Sequence, residues 1–129
     1  MTPSKLFLAA FPFADDVLAL PVKDIDHAAE YYARSFGLAE VERLDDPATV
    51  IMERDGVQIG FSVNGGDASQ DGAAVLVSDI ERARDELVAA GVETKNWRVD
   101  KRDGKDFQVF FVVAPDGLCY YYHQELDRD

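Results

Sequence analysis

The chain has 129 residues, 47% of them apolar and 29% charged, with eight Phe, five Tyr and one Trp. That is one domain's worth of chain with enough apolar side chains for its own core, which excludes a large multidomain machine. Twenty-five acidic residues against thirteen basic ones give a net charge of −12, which repels phosphate backbones and anionic headgroups, so nucleic acid and membrane are poor partners.

The apolar run Leu6-Phe7-Leu8-Ala9-Ala10-Phe11 near the start is too short to span a bilayer and lacks a convincing cleavage site. Residues 1–15 are therefore expected to form an N-terminal arm that packs on the body or on a partner subunit. Residues 16–22 read as a strand, and Asp24 stands where an N-cap belongs, before a helical rhythm over 26–36 that stops at Gly37. Strands follow at 39–44, 48–53 and 57–63, the last two joined by Asp55-Gly56, a strong hairpin signal. The small, polar, Gly-rich stretch 64–71 reads as a linker. Beyond it come a strand at 72–77, a helix at 79–90 stopped by Gly91, strands at 92–99, 107–113 and 118–123, and an acidic tail at 125–129.

The second series repeats the first. Val22-Lys23-Asp24-Ile25-Asp26-His27-Ala28 returns 55 residues later as Val77-Ser78-Asp79-Ile80-Glu81-Arg82-Ala83, and Asp55-Gly56 returns 61 residues later as Asp116-Gly117. Two tandem βαβββ modules, 16–63 and 72–124, predict one α+β domain whose curved mixed sheets enclose a cleft, with the helices on the outer faces.

Alternation along the strands then sorts side chains between helix and cleft. Val57, Ile59, Phe61 and Val63 are expected beneath the first helix with Leu18, Leu20 and Val22, and Ala73, Val75 and Val77 beneath the second. The opposite face holds Val17, Gln58, Gly60 and Ser62 from the first module. From the second it holds Gly72, Ala74, Leu76, Cys119, Tyr121 and His123. Trp97, Phe107, Phe110 and Phe111 crowd a run too dense for periodicity to separate core from rim. Cys119, the lone cysteine, excludes an intrachain disulfide and a polycysteine zinc site, which fits a reducing, cytoplasmic setting. His27 reads as a solvated residue in a first helical turn. Tyr121 and His123, two apart on one strand face, are the weak candidates for acid and base catalysis.

The duplicated unit, together with Ala19-Leu20-Pro21-Val22-Lys23-Asp24-Ile25, the Tyr31-Tyr32 pair before Phe36-Gly37-Leu38, and Ala114-Pro115-Asp116-Gly117, resembles the vicinal oxygen chelate superfamily. That group includes glyoxalases, extradiol dioxygenases, epimerases, and fosfomycin and bleomycin resistance proteins. The resemblance implies metal ligands five residues before Val22 and Val77 and four after Gly56 and Gly117, but those positions hold Val17, Gly72, Gly60 and Tyr121. None offers an imidazole or carboxylate, and Asp16 and Asp71 alongside them would need a one-residue slip in register. The expectation is a protein without metal or cofactor that binds a small organic ligand, cationic or aromatic, with Gly60 and Gly72 opening space for it. The alternatives are a lyase, isomerase or dioxygenase using an atypical metal site or Tyr121 and His123, and an interaction subunit with a closed pocket. The resemblance also implies a homodimer, with the apolar arm as a contact element.

Overall fold

The computed structural model describes residues 5–12 and 16–126. Parts of the expected arm (1–4 and 13–15) and of the acidic tail (127–129) lie outside the described residues. The elements run β1 (Phe7–Pro12), β2 (Leu20–Pro21), α1 (Ile25–Phe36), β3 (Ala39–Leu44), β4 (Thr49–Arg54) and β5 (Val57–Ser62), then β6 (Gly72–Val77), α2 (Ile80–Ala89), β7 (Lys95–Arg102), β8 (Lys105–Val113) and β9 (Cys119–Glu125). They form a five-stranded sheet, β1-β6-β9-β8-β7, and a four-stranded sheet, β2-β5-β4-β3. In each module the strand before the helix lies parallel to the last strand of the module, and the remaining pairs are antiparallel.

The repeat shows in the caps. The Asp24 carboxylate accepts from the N–H groups of Asp26 and His27 at the start of α1, and Asp79 accepts from that of Arg82 at the start of α2. Gly37 ends α1 with φ 71°, a left-handed conformation that glycine adopts without a Cβ clash. Asp55-Gly56 has φ of 56° and 85°, both positive, as the tight two-residue hairpin between β4 and β5 requires.

Three expectations are corrected. The strand expected at 16–22 is reduced to Leu20–Pro21, because the Ala19 N–H closes a turn on the Asp16 carbonyl (3.1 Å) while Asp16 Oδ1 accepts from the Leu18 N–H (2.9 Å). The alternation expected for that strand fails with it, since Pro21 is buried together with its neighbours Leu20 and Val22. Val63 lies beyond the end of β5 and is 40% exposed, not core. The strands expected at 92–99 and 107–113 extend toward each other because Asp103-Gly104, with φ of 52° and 76°, forms a second tight Asp-Gly hairpin.

The apolar arm becomes a strand: β1 pairs antiparallel with β6, Phe11 opposite Ala74. Leu6 and Phe7 are each 1% exposed, and both their N–H groups donate to Asp55 Oδ2 (2.8 and 3.0 Å), which fastens the arm to the first module's hairpin. One core serves both modules. Tyr32 of α1 stacks on Phe61 at 4.2 Å, while Phe36 meets the rings of Tyr120 and Tyr122 from the other module at 4.8 and 5.8 Å. A buried chain of hydroxyls crosses the same seam: Tyr120 donates to Tyr32 (2.7 Å), and Tyr32 donates to Asp116 Oδ2 (3.0 Å). Arg54 adds a polar tie, donating from Nη1 to the Phe36 carbonyl at the end of α1 and to Glu86 of α2.

Candidate ligand cleft

With the helices and their core on one side of the five-stranded sheet, the side chains alternating to the other side define its open face. The register places Phe11 beside Ala74, Ala74 beside Tyr121, Leu76 beside His123, and His123 beside Val109. Across β8, Phe107 faces Glu125 on one side and Asp100 on the other. A cleft of about 800 Å³ opens on this face. Ala74 and Leu76 lie along it, Leu8 and Phe11 of β1 border it, and Phe107, Arg102 and Glu125 come from the far side, with His123 between.

Ala74 is short, which gives the cleft depth, and Phe11 is half exposed beside it. The His123 ring lies 6.4 Å from Phe11, 5.8 Å from Phe107 and 5.5 Å from Tyr121, so the imidazole sits within an aromatic group. It is 5% exposed, and its Nδ1 is buried without a hydrogen-bond partner. Burial, with help from the Arg102 charge, holds its pKa below the ordinary imidazole value, so the ring is uncharged at neutral pH. Tyr121 donates its hydroxyl to Asp100 Oδ2 (2.8 Å), and its pKa is pushed up to about 12 by burial and by that carboxylate, which keeps it a donor. Burial raises the Cys119 thiol pKa as well, which favours the unreactive protonated form.

The residues singled out in the sequence are only partly brought together. Ala74 and His123 line the cleft. Gly72, Cys119 and Tyr121 share its sheet face. Val17, Gln58, Gly60 and Ser62 belong to the four-stranded sheet and the turn before it. Ser62 is buried and hydrogen-bonded to Thr49, while Gln58 is exposed at a hairpin end. His27 is exposed beside a second hollow of about 530 Å³ along α1, with Lys23, Arg34 and Asp116. Leu8, Phe11 and Arg102 were not anticipated. Arg102 could have been found from Asp103-Gly104, because a two-residue turn there fixes the β7–β8 register and sets Arg102 opposite Lys105.

The expectation that Gly60 and Gly72 open space is overturned. A Cβ on Gly60 would stand 2.1 Å from the Leu18 carbonyl oxygen, and one on Gly72 would stand 1.7 Å from that of Cys119. Both glycines are needed for close backbone approach, and the volume their missing side chains release is already filled. The four positions where the resemblance implies metal ligands do not fit a divalent ion. Val17 and the two glycines have no donor side chain, and the Val17 carbonyl already accepts from the Gly60 N–H (2.9 Å). Tyr121 is protonated and spent on Asp100. Among the described residues no three His, Cys, Asp or Glu side chains gather where they could hold a metal ion.

Comparison with known proteins agrees with this architecture. Residues 16–118 match the family described as Glyoxalase/Bleomycin resistance protein/Dioxygenase superfamily, and the chain belongs to it. The same fold occurs in VPC_CASS1 from the mobile metagenome of V. Pseudocholerae (TM-score 0.70, 16% identity, 88% of this chain and 95% of that one). It occurs in TnmS3, an antibiotic binding protein from Streptomyces sp. CB03234 (TM-score 0.68, 14% identity, 88% and 99%). It occurs also in the fosfomycin resistance protein FosX from Listeria monocytogenes, solved with Mn(II) and sulfate (TM-score 0.61, 18% identity, 88% and 91%). Identities this low establish the fold alone. No curated protein matches the sequence. No helix among the described residues is long and apolar enough to cross a membrane.

Proposed function

We propose that this protein binds a small aromatic organic molecule in the cleft of its five-stranded sheet, without a metal and without chemistry. The observation that carries this reading is the cleft of about 800 Å³ bordered by Phe11 and Phe107 with Ala74 and Leu76 along it, on a fold whose ligand positions hold no metal-binding side chains. Apolar walls with a few placed polar groups are what small-molecule sites of this size consist of. Antibiotic binding by TnmS3, on the same fold, supports the class of activity.

The residues proposed to hold the ligand are Phe11, Ala74, Phe107 and His123, with Tyr121 farther along the face. Gly60 and Gly72 serve close packing. The protein is proposed to work in the cytoplasm as a homodimer, a state that sedimentation at micromolar concentration would read directly.

The test is a thermal-shift screen of planar aromatic compounds against the wild type and Ala74→Phe, which fills the cleft with a ring. A compound at a hundredfold excess over its Kd should stabilise the wild type by about 2.7 kcal/mol and leave Ala74→Phe unmoved. Equal shifts in both proteins would place binding elsewhere. Stoichiometric Mn, Fe, Ni or Zn in protein purified without chelator would refute the metal-free reading.

A further inference from the structure

The β7–β8 hairpin beside the cleft carries a charge opposite to that of the molecule. Five of the thirteen basic residues fall between Lys95 and Lys105, against two acidic ones, in a chain of net charge −12. On the cleft side of this hairpin the acidic groups are already paired. Asp100 takes Arg98 Nε (2.8 Å) and the Tyr121 hydroxyl, and Glu125 faces Lys105 Nζ at 3.5 Å.

Arg102 differs. Its guanidinium lies over the rings of Phe107 (4.7 Å) and Tyr121 (5.5 Å), and among the described residues it forms no ion pair or hydrogen bond. Lying over two rings, which offer no hydrogen-bond acceptor at its rim, leaves the N–H donors unused among the described residues, an arrangement suited to a carboxylate. His123 at the base of the cleft adds no charge at neutral pH, so the uncompensated charge at the site is positive.

We infer that the natural ligand is an aromatic acid, with its ring system between Phe11 and Phe107 and its carboxylate on Arg102. The inference rests on the proposed cleft binding and deepens it. It replaces the cationic guest suggested by overall charge, because the nearest unpaired group acts at contact distance while the acidic surface is screened within about 8 Å at physiological salt.

Three probes of one shape test it: 2-naphthoate, 2-naphthamide and 2-naphthylmethylammonium, titrated calorimetrically at pH 7.5 into wild type, Arg102→Met and Ala74→Phe. The acid should bind wild type roughly tenfold more tightly than the amide, and the ammonium more weakly than either. Arg102→Met, which keeps the stem's cover over Phe107, should bind acid and amide alike. Ala74→Phe should bind none. Binding by all three probes with no preference for the acid, or a preference that survives in Arg102→Met, would overturn this inference and leave cleft binding standing. Absence of binding by every probe, or binding that Ala74→Phe leaves intact, would overturn both.

Discussion

A methyl group on Gly72 would stand 1.7 Å from the Cys119 carbonyl oxygen, where β6 and β9 run side by side. Backbone cannot yield as a flexible side chain can, so Gly72→Ala should lower stability by about 2–3 kcal/mol or abolish folding, as overpacking of rigid sites does. Urea unfolding measures this, with Gly104→Ala as the comparison. Gly104 has open space around it, so the penalty there is confined to its left-handed φ of 76° and should be near 1 kcal/mol. Equal losses at the two positions would remove the close-approach argument. His123 and Arg102 make a complementary point at this scale. Neither charge state nor free donors can be read from residue type, since burial keeps one uncharged and two aromatic rings orient the other.

At the scale of elements, the aspartates of the two repeated Asp-Gly turns fasten pieces that are remote in sequence. Asp55 holds the N–H groups of Leu6 and Phe7 at the start of β1, and Asp116 takes the Tyr32 hydroxyl of α1. Asp55→Ala should leave two partly buried donors unmet, at a cost of about 1–3 kcal/mol, and should speed amide exchange across Phe7–Pro12 selectively. Asp55→Asn, which keeps an acceptor and tolerates the φ of 56°, should lose less. The tie between β4 and α2 is pH-dependent. Arg54, chiefly through its hydrogen bonds, holds the Glu86 carboxyl below the ordinary glutamate value. A depressed carboxyl stabilises the fold above its unfolded pKa and loses that contribution as pH falls through the folded value. Wild type should therefore lose stability on acidification from about pH 4.5 downward more steeply than Glu86→Gln. Glu86 is over a third exposed, so the difference should stay under about 1 kcal/mol in denaturant titrations at pH 6 and pH 3.

For the whole molecule, the shared core forbids the modules from behaving as two independent units. Tyr32 packs on Phe61 of its own module, and Tyr32 and Phe36 both pack on Tyr120 of the other. Fluorescence of Trp97, which lies over Phe110 at 6.1 Å in the second module, should therefore change in the same urea transition as the far-UV circular dichroism of the full chain. Tyr32→Phe removes the middle of the hydroxyl chain and leaves the fully buried Tyr120 hydroxyl unmet, which should shift both probes together by about 1–3 kcal/mol. Separate midpoints in wild type would contradict the single core.

The sequence by itself determined the architecture. The doubled Val-x-Asp-Ile signal, the aspartate caps and the Asp-Gly turns are local chemistry, and local chemistry sets where helices and hairpins begin and end. Strand alternation likewise put Ala74, Tyr121 and His123 on one face, because that needs only the two-residue period. What the sequence could not settle was which backbone lies against which. Gly60 read as an opening until the Leu18 carbonyl stood against it, and the apolar arm had no fixed place until β6 supplied an edge. The cleft walls were undecided for the same reason. Asp103-Gly104 sets Arg102 beside Lys105, but Phe11 reaches the same cleft only through the β1–β6 pairing across the sheet, and a pairing of that kind has no trace in the spacing of residues along the chain.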